Sequence, residues 1–281
     1  MSDRWPSTPA LLWRQIRYQN TMFWRSPVAA FFTLILPLVM LVLFNAIFNG
    51  TVDLDSGPVS IAQFYAPALA VFTAASATYT SLAILQSIRR DDGILKRVRG
   101  TPLPPWIYLG GAIGSGVTQA LVGAVVMLGL GVAAYDVDIE LARMPAALVT
   151  FAVGVAAFAA LGLAVVAVSP DANTAQATVN ATLLPIAFVS NVFIPLEDPP
   201  RWLEILGDFF PLKHFVEAFQ KCFTPGVDAP AFSWGKLVYI AVWGVVGAAV
   251  AARFFRWEPA TGSGRRTRRG GSSRSRGRRS R

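Results

Sequence analysis

A chain that did its own chemistry would have to do it with one histidine, His214, and one cysteine, Cys222. One cysteine permits no internal disulfide and no cysteine-based metal cluster. Metalloprotease signatures need two histidines, and a Ser/His dyad inside a bilayer needs both partners facing each other within it. Gly114-Ser115-Gly116 matches part of a GxSG nucleophile motif, but Ile113 occupies the first glycine position. The sequence contains no GxxxxGK[ST] phosphate loop, so this chain is not its own ATPase of that type. The charged group that stands out is in Ser87 to Trp106, SIRRDDGILKRVRGTPLPPW. Helical spacing there puts Ile88, Ile94, Leu95 and Val98 on one face and Arg89, Arg90, Lys96 and Arg97 on another, and Pro102, Pro104 and Pro105 end the segment. Such a patch recognises a surface or anchors a loop; it does not break bonds.

The elements that position this patch are apolar. The composition is 54% hydrophobic with mean hydropathy +0.48, which is that of a polytopic membrane protein. Six runs lack any Asp, Glu, Lys, Arg or His: Val28 to Phe48, Ile61 to Gln86, Ile107 to Tyr135, Pro145 to Val168, Thr174 to Ile194 and Leu237 to Ala252. At 1.5 Å per residue, about twenty residues cross the roughly 30 Å of hydrocarbon. The expectation is therefore an all-α membrane protein with six transmembrane helices. Ion-coupled transporters hold their ion on ionisable groups within the membrane. These runs have none, and Asn45, Gln63, Gln119 and Asn180 do not titrate. No filter-like carbonyl motif or charged ring marks a channel.

Charge fixes the expected orientation. Of 25 Lys and Arg, nine lie between Arg265 and Arg281, and residues 1 to 264 hold sixteen basic and sixteen acidic side chains. A Gly/Ser/Arg tail of that composition buries no apolar surface; it reads as a lipid-attracted cytoplasmic tail, with no nucleic acid expected as partner. With the N-terminus inside, inner segments carry twenty basic residues and outer ones five. By the positive-inside rule both termini are cytoplasmic. The first apolar run follows Pro27 without a cleavage-like site, so no removable signal is expected.

In chain order, Ala10 to Arg25 reads as an interfacial helix, with Leu12, Trp13, Ile16, Phe23 and Trp24 on one side and Arg14, Arg17, Thr21 and Arg25 on the other. Gln19 and Asn20 interrupt its apolar stripe. Pro37 predicts a kink in the first span. Gly110 and Gly114 form a GxxxG, a face for close helix packing, more naturally within the subunit than at a dimer seam. After the fifth run, Pro195, Pro199 and Pro200 stop the helix, and Glu197 and Asp198 require water. Two amphipathic pieces follow, Arg201 to Phe209 and Leu212 to Phe223, each too short to span. They predict re-entrant or surface helices on the outer side, before the last span. Residues 1–27 are then a cytoplasmic N-terminus, 28–256 the membrane domain and 257–281 the basic tail.

This order resembles the ABC-2 type transporter permease family, the membrane subunits of ATP-driven multidrug, lipid and polysaccharide exporters. The matching residues are Arg25-Ser26-Pro27 before the first span, Pro185 and Phe188-Val189-Ser190 in the fifth, then Pro195, the Pro200 and Trp202 pair, and Pro211. The family usually has glycine after that serine, where this chain has Asn191. The resemblance implies a non-catalytic permease of the bacterial plasma (inner) membrane, daunorubicin-resistance-permease-like. It also implies a separate ATP-binding subunit, ATP and Mg held in that partner, and a homodimer or heterodimer with a similar permease. It assigns Arg89, Arg90, Asp92, Ile94, Leu95, Lys96 and Arg97 to the loop that seats in the ATP-binding subunit, with Asp91-Asp92-Gly93 where the family tends to have glutamate before the glycine. Aromatic residues Phe44, Phe64, Tyr65, Phe188 and Phe193 are candidates for a substrate path. Pro195, Trp202 and His214 are candidates for an outer gate. The expected cargo is a lipophilic drug, lipid or glycoconjugate. A channel or membrane scaffold without an ATPase is the alternative.

Overall fold

The computed structural model describes residues 7–48, 50–54, 57–193 and 200–258. The chain is mostly helical, and among the described residues five helices are long and apolar enough to cross a membrane. Helix α1 is Thr8–Trp24. Helix α2, Pro27–Ile47, starts at Ser26, whose side chain accepts from the Ala29 N–H, with Pro27 at the first turn where its missing N–H costs nothing. The following loop then forms a two-stranded antiparallel ribbon, Thr51–Leu54 against Gly57–Ser60, a departure from the expected all-α chain. Ser60 caps the 31-residue helix α3, Ile61–Asp91, by accepting from the Gln63 N–H at 3.1 Å. Gly93, at φ +70, turns the chain into the short helix α4, Ile94–Arg99. Helix α5 is Pro105–Tyr135, α6 is Met144–Val168 and α7 is Ala172–Val189. Helices α8, Arg201–Phe209, and α9, Pro211–Lys221, precede α10, Trp234–Phe254.

Helix α3 is the centre of the bundle. Ala62 to Ala75 are buried without interruption, as expected of a helix that is apolar all round and walled by neighbours. It packs along α5, α2, α6 and α9. Small residues permit the closest approaches. A Cβ at Gly123 would lie 2.3 Å from Thr73 Cγ2 of α3, and one at Gly247 would lie 2.9 Å from the Leu161 backbone nitrogen, so α10 rides on α6. Pro37 lacks the N–H that would close an α-turn, and the turn before it, Phe31–Ile35, widens to a π-helix. A second π-helical stretch, Ser76–Ser81, sits in α3 beside it, with Thr33 Oγ1 3.4 Å from Ser81 Oγ.

The fifth apolar run is shorter than its sequence predicts. Helix α7 ends at Val189, Ser190 is its C-cap and Asn191 takes φ +56. A left-handed residue at that place stops a helix, and asparagine is one of the few side chains that accept it, so it serves here where the family favours glycine. Ile194 and the elbow residues Pro195, Glu197, Asp198 and Pro199 lie outside the described residues.

Candidate functional site

One end of the bundle gathers the charged patch, with a different rotation from the one the sequence suggested. Helix α3 does not stop at Gln86 but continues to Asp91, and this turns Arg89 and Arg90 inward, 7% and 2% exposed, while Ile88 faces out at 41%. Arg89 donates to Gln19 Oε1 of α1 and, at 3.2 Å, to the Tyr108 hydroxyl of α5. That hydroxyl donates in turn to Gln86 Oε1 at 3.0 Å. Arg90 donates to the Val166 carbonyl at the end of α6 at 2.6 Å. Asp91 lies 3.5 Å from Arg90 Nε, and its other oxygen accepts from the Ala172 N–H, the first residue of α7, at 2.7 Å. Such contacts offset the cost of burying two guanidinium groups, although Arg90 Nη2 has no partner among the described residues.

Of the expected coupling residues, Asp92, Ile94, Lys96 and Arg97 stand on the surface, whereas Arg89, Arg90 and Leu95 are built into the interior. Lys96 lies 3.8 Å from Glu258 in an exposed pair. The network that joins this loop to α1, α5, α6 and α7 was not foreseen. Its sequence signal was Gln19, the polar residue that interrupts the apolar stripe of α1 and is itself buried.

Helix α1 lies against α5 through the GxxxG. A Cβ at Gly110, Gly111 or Gly114 would meet Leu12, Gln15 or Ile16 at 3.0, 2.2 or 2.6 Å, so these glycines serve packing within the chain. The amphipathic assignment needs correction on two points. Trp13 and Trp24 do not join the packed face but are 67% and 49% exposed, while Gln19 does join it.

At the other end, the path candidates form one aromatic cluster. Phe44 stacks near Tyr65 at 4.6 Å, Phe64 meets Tyr65 at 5.1 Å, and Phe193 lies 5.0 Å from both Phe188 and Phe72. The Tyr65 hydroxyl donates to the Phe193 carbonyl at 3.0 Å. Phe64, Tyr65 and Phe193 are buried and Phe44 is half-buried, so of the five Phe188 is the most exposed. Helix α9 closes this end: the Phe215 ring fills the notch at Gly154, where a Cβ would lie 2.3 Å away. Gln220 donates to the Phe64 carbonyl at 3.0 Å, and Gln63 both donates to Asp138 O and accepts from Asp138 N. Arg143, a lone base in the sequence, is buried and bonds Glu140 and the Thr224 carbonyl. Trp202 is exposed on α8, while His214 stacks on Tyr239 at 4.2 Å, and Pro195 lies outside the described residues.

Helix α7 has two unlike faces. Ala175, Val179, Leu183 and Ala187, four apart, are buried against the bundle. The opposite face exposes Asn173, Gln176, Asn180, Leu184 and Phe188. Asp171 caps the helix by accepting from the Thr174 N–H at 2.8 Å, and that hydrogen bond holds its carboxyl below the usual range.

Comparison with known proteins agrees with this architecture. The profile of the ABC-2 type transporter family matches residues 7–224. The daunorubicin resistance ABC transporter permease protein DrrB1 of Streptomyces coeruleorubidus is 28% identical over 216 residues, 75% of this chain and 72% of that protein. The probable multidrug ABC transporter permease YbhR of Escherichia coli K12 is 24% identical over 181 residues, 63% of this chain and about half, 47%, of its own length.

Proposed function

We propose that this chain, which belongs to the ABC-2 type transporter family, is the transmembrane subunit of an ATP-driven exporter in which a separate subunit burns the nucleotide. Two such chains, or one and a similar sister, enclose a conduit through the bacterial inner membrane, with both termini cytoplasmic. Helix α7 is the sixth span, and α8 and α9 are re-entrant helices on the outer side. ATP and Mg belong to the partner. The cargo is a lipophilic drug, lipid or glycoconjugate, in line with the drug-resistance names of the relatives.

The observation that carries this reading is the exposed face of α7. If α7 spans, Gln176 and Asn180 cannot rest in hydrocarbon, where each unsatisfied polar group costs several kcal/mol. They need water or a second subunit, and a conduit at a two-subunit seam supplies both. Leu184 and Phe188 continue the same face toward the outside, giving a path that is polar at the inner end and apolar at the outer end.

Energy enters at the exposed Asp92, Ile94, Lys96 and Arg97. Because Arg89, Arg90 and Asp91 tie the end of α3 to α1, α5, α6 and the first residue of α7, a push on this loop is felt by the helices around the conduit together. ATP binding beneath biases an inward-open against an outward-open arrangement through that lever. The test is co-purification with an ATP-binding subunit and assay of the complex in vesicles. Lys96→Glu with Arg97→Glu leaves the chain folded but abolishes coupling between hydrolysis and transport. Full coupling in that variant removes the loop from the mechanism, and failure to recover any ATPase returns the chain to a channel or scaffold.

A further inference from the structure

Two concavities flank the same ridge. Arg14, Arg17, Thr21 and Arg25 recur at steps of three, four and four along α1 and its C-cap, so they share one helix face. A groove of about 390 Å³ runs between this ridge and α5, walled by Trp13, Ile16, Asn20 and Trp24 and closed by Thr118 of α5. A second, of about 300 Å³, lies on the other side against Tyr18 and Met22. The sequence holds no Asp or Glu between residues 4 and 52, and none of these arginines joins an ion pair among the described residues. The site is therefore cationic, aromatic at its edges, and continuous with a membrane helix.

We propose that the groove binds an anionic glycerophospholipid of the inner leaflet. The phosphate sits against Arg17 and Arg25, and one acyl chain follows Ile16 and the two tryptophans toward Thr118. Guanidinium suits phosphate by its planar fork of donors, and tryptophan suits the level where headgroup meets hydrocarbon. The lipid would thereby brace α1, the helix that holds Arg89 through Gln19. This inference rests on the placement of α1 at the inner leaflet, but its test reads lipid and not transport. The full-length protein, purified from mixed phosphatidylglycerol and phosphatidylcholine, is analysed for retained lipid by native mass spectrometry.

Phosphatidylglycerol is retained over phosphatidylcholine, and Arg17→Gln with Arg25→Gln weakens its retention by about fivefold per arginine, the worth of roughly 1 kcal/mol each. Neutralising Arg99 and Arg253, which removes the same charge elsewhere, leaves it unchanged. Equal loss in both pairs shows attraction to net charge only and overturns the site, as does equal retention of the two lipids.

A separate observation concerns the joint between α1, α3 and α5. Gln19 Nε2, Gln86 Nε2 and Gln119 Oε1 are buried atoms without a protein partner among the described residues, and all three side chains line one cavity of about 30 Å³. The amide orientations follow from their neighbours: Arg89 can only donate to Gln19 Oε1, Tyr108 donates to Gln86 Oε1, and Gln119 Nε2 donates to Ser115 Oγ at 3.0 Å. Two donors and one acceptor thus face a space that fits one or two waters. We infer that an ordered water resides there, accepting from Gln19 and Gln86 and donating to Gln119. A density map of the full-length protein that resolves waters will show it, and Gln119→Leu will remove it. A dry cavity, or density that persists in the variant, overturns the assignment.

Discussion

At Cys222 the environment decides reactivity. Its thiol is buried, and that burial pushes it up to about 11 despite the opposing pull of Lys221 and Arg143. At pH 8 about one molecule in a thousand carries the reactive thiolate, and that fraction rises about tenfold per pH unit until it nears 11. Maleimide should therefore label the folded wild type slowly at pH 7 to 8 and rapidly once detergent has denatured it. Fast labelling of the folded protein would show that α9 does not seat as described. A further consequence is practical, since cysteines introduced at Asp138 and Lys96 then report outer and inner faces against a quiet background. Arg89 makes the second prediction of this scale. Arg89→Ala strands Gln19 and Tyr108 in the interior and should cost about 1.5–3 kcal/mol, whereas Arg97→Ala on the exposed loop should stay within about 0.5. Thermal unfolding in detergent compares the two. The sequence revealed the arginine cluster but not its direction, because burial of Arg89 depends on Gln19, seventy positions away.

Elements were legible in proportion to their apolarity. Five helices long and apolar enough to span announce themselves by uniform runs, and their bounds in the structure differ from the runs by a few residues at each end. Helix α7 is marginal because its outer face is polar, and the same polarity makes it interesting. Asp171 caps its start, and a carboxyl held below its unfolded value stabilises at neutral pH and loses that effect as pH falls through the lowered value. The two faces should respond oppositely. Asn180→Leu should leave expression and melting unchanged or raised, yet reduce transport severalfold by altering a wetted wall. Val179→Asn, on the packed face, should lower melting by burying an unpaired amide at about 1–3 kcal/mol. If Asn180→Leu transports normally in vesicles, this face meets lipid or a static partner rather than cargo.

Across the whole molecule, the charged loop and α7, the helix proposed to face the conduit, are joined by a short bond at Asp91. Asp91 ends α3; one of its oxygens accepts from the Ala172 N–H that begins α7, and the other lies near Arg90, which holds the end of α6. In the proposed exporter, hydrolysis in a partner subunit moves α7 through packing or through such ties. Farther along, Ala83, Tyr79 and Ile84 of α3 share a cluster with Ala175 and Val179 of α7, and the Tyr79 hydroxyl lies 2.8 Å from Thr182 Oγ1, a second polar tie between the two helices. Of the two ties Asp91 is the one beside the loop, and in the proposed exporter it is where rotation of the loop becomes displacement of α7. Asp91→Ala should preserve ATPase binding, since its side chain is only partly exposed and the contact surface lies at Ile94 to Arg97, but transport per ATP should fall. Asp91→Asn keeps an acceptor for Ala172 and loses only the charge beside Arg90, so it should recover most of the coupling. The measurement is the ratio of cargo moved to phosphate released in reconstituted vesicles. A wild-type ratio in Asp91→Ala would mean that α7 is driven through its packing and the Tyr79–Thr182 contact, and that the lever at the loop ends at α6.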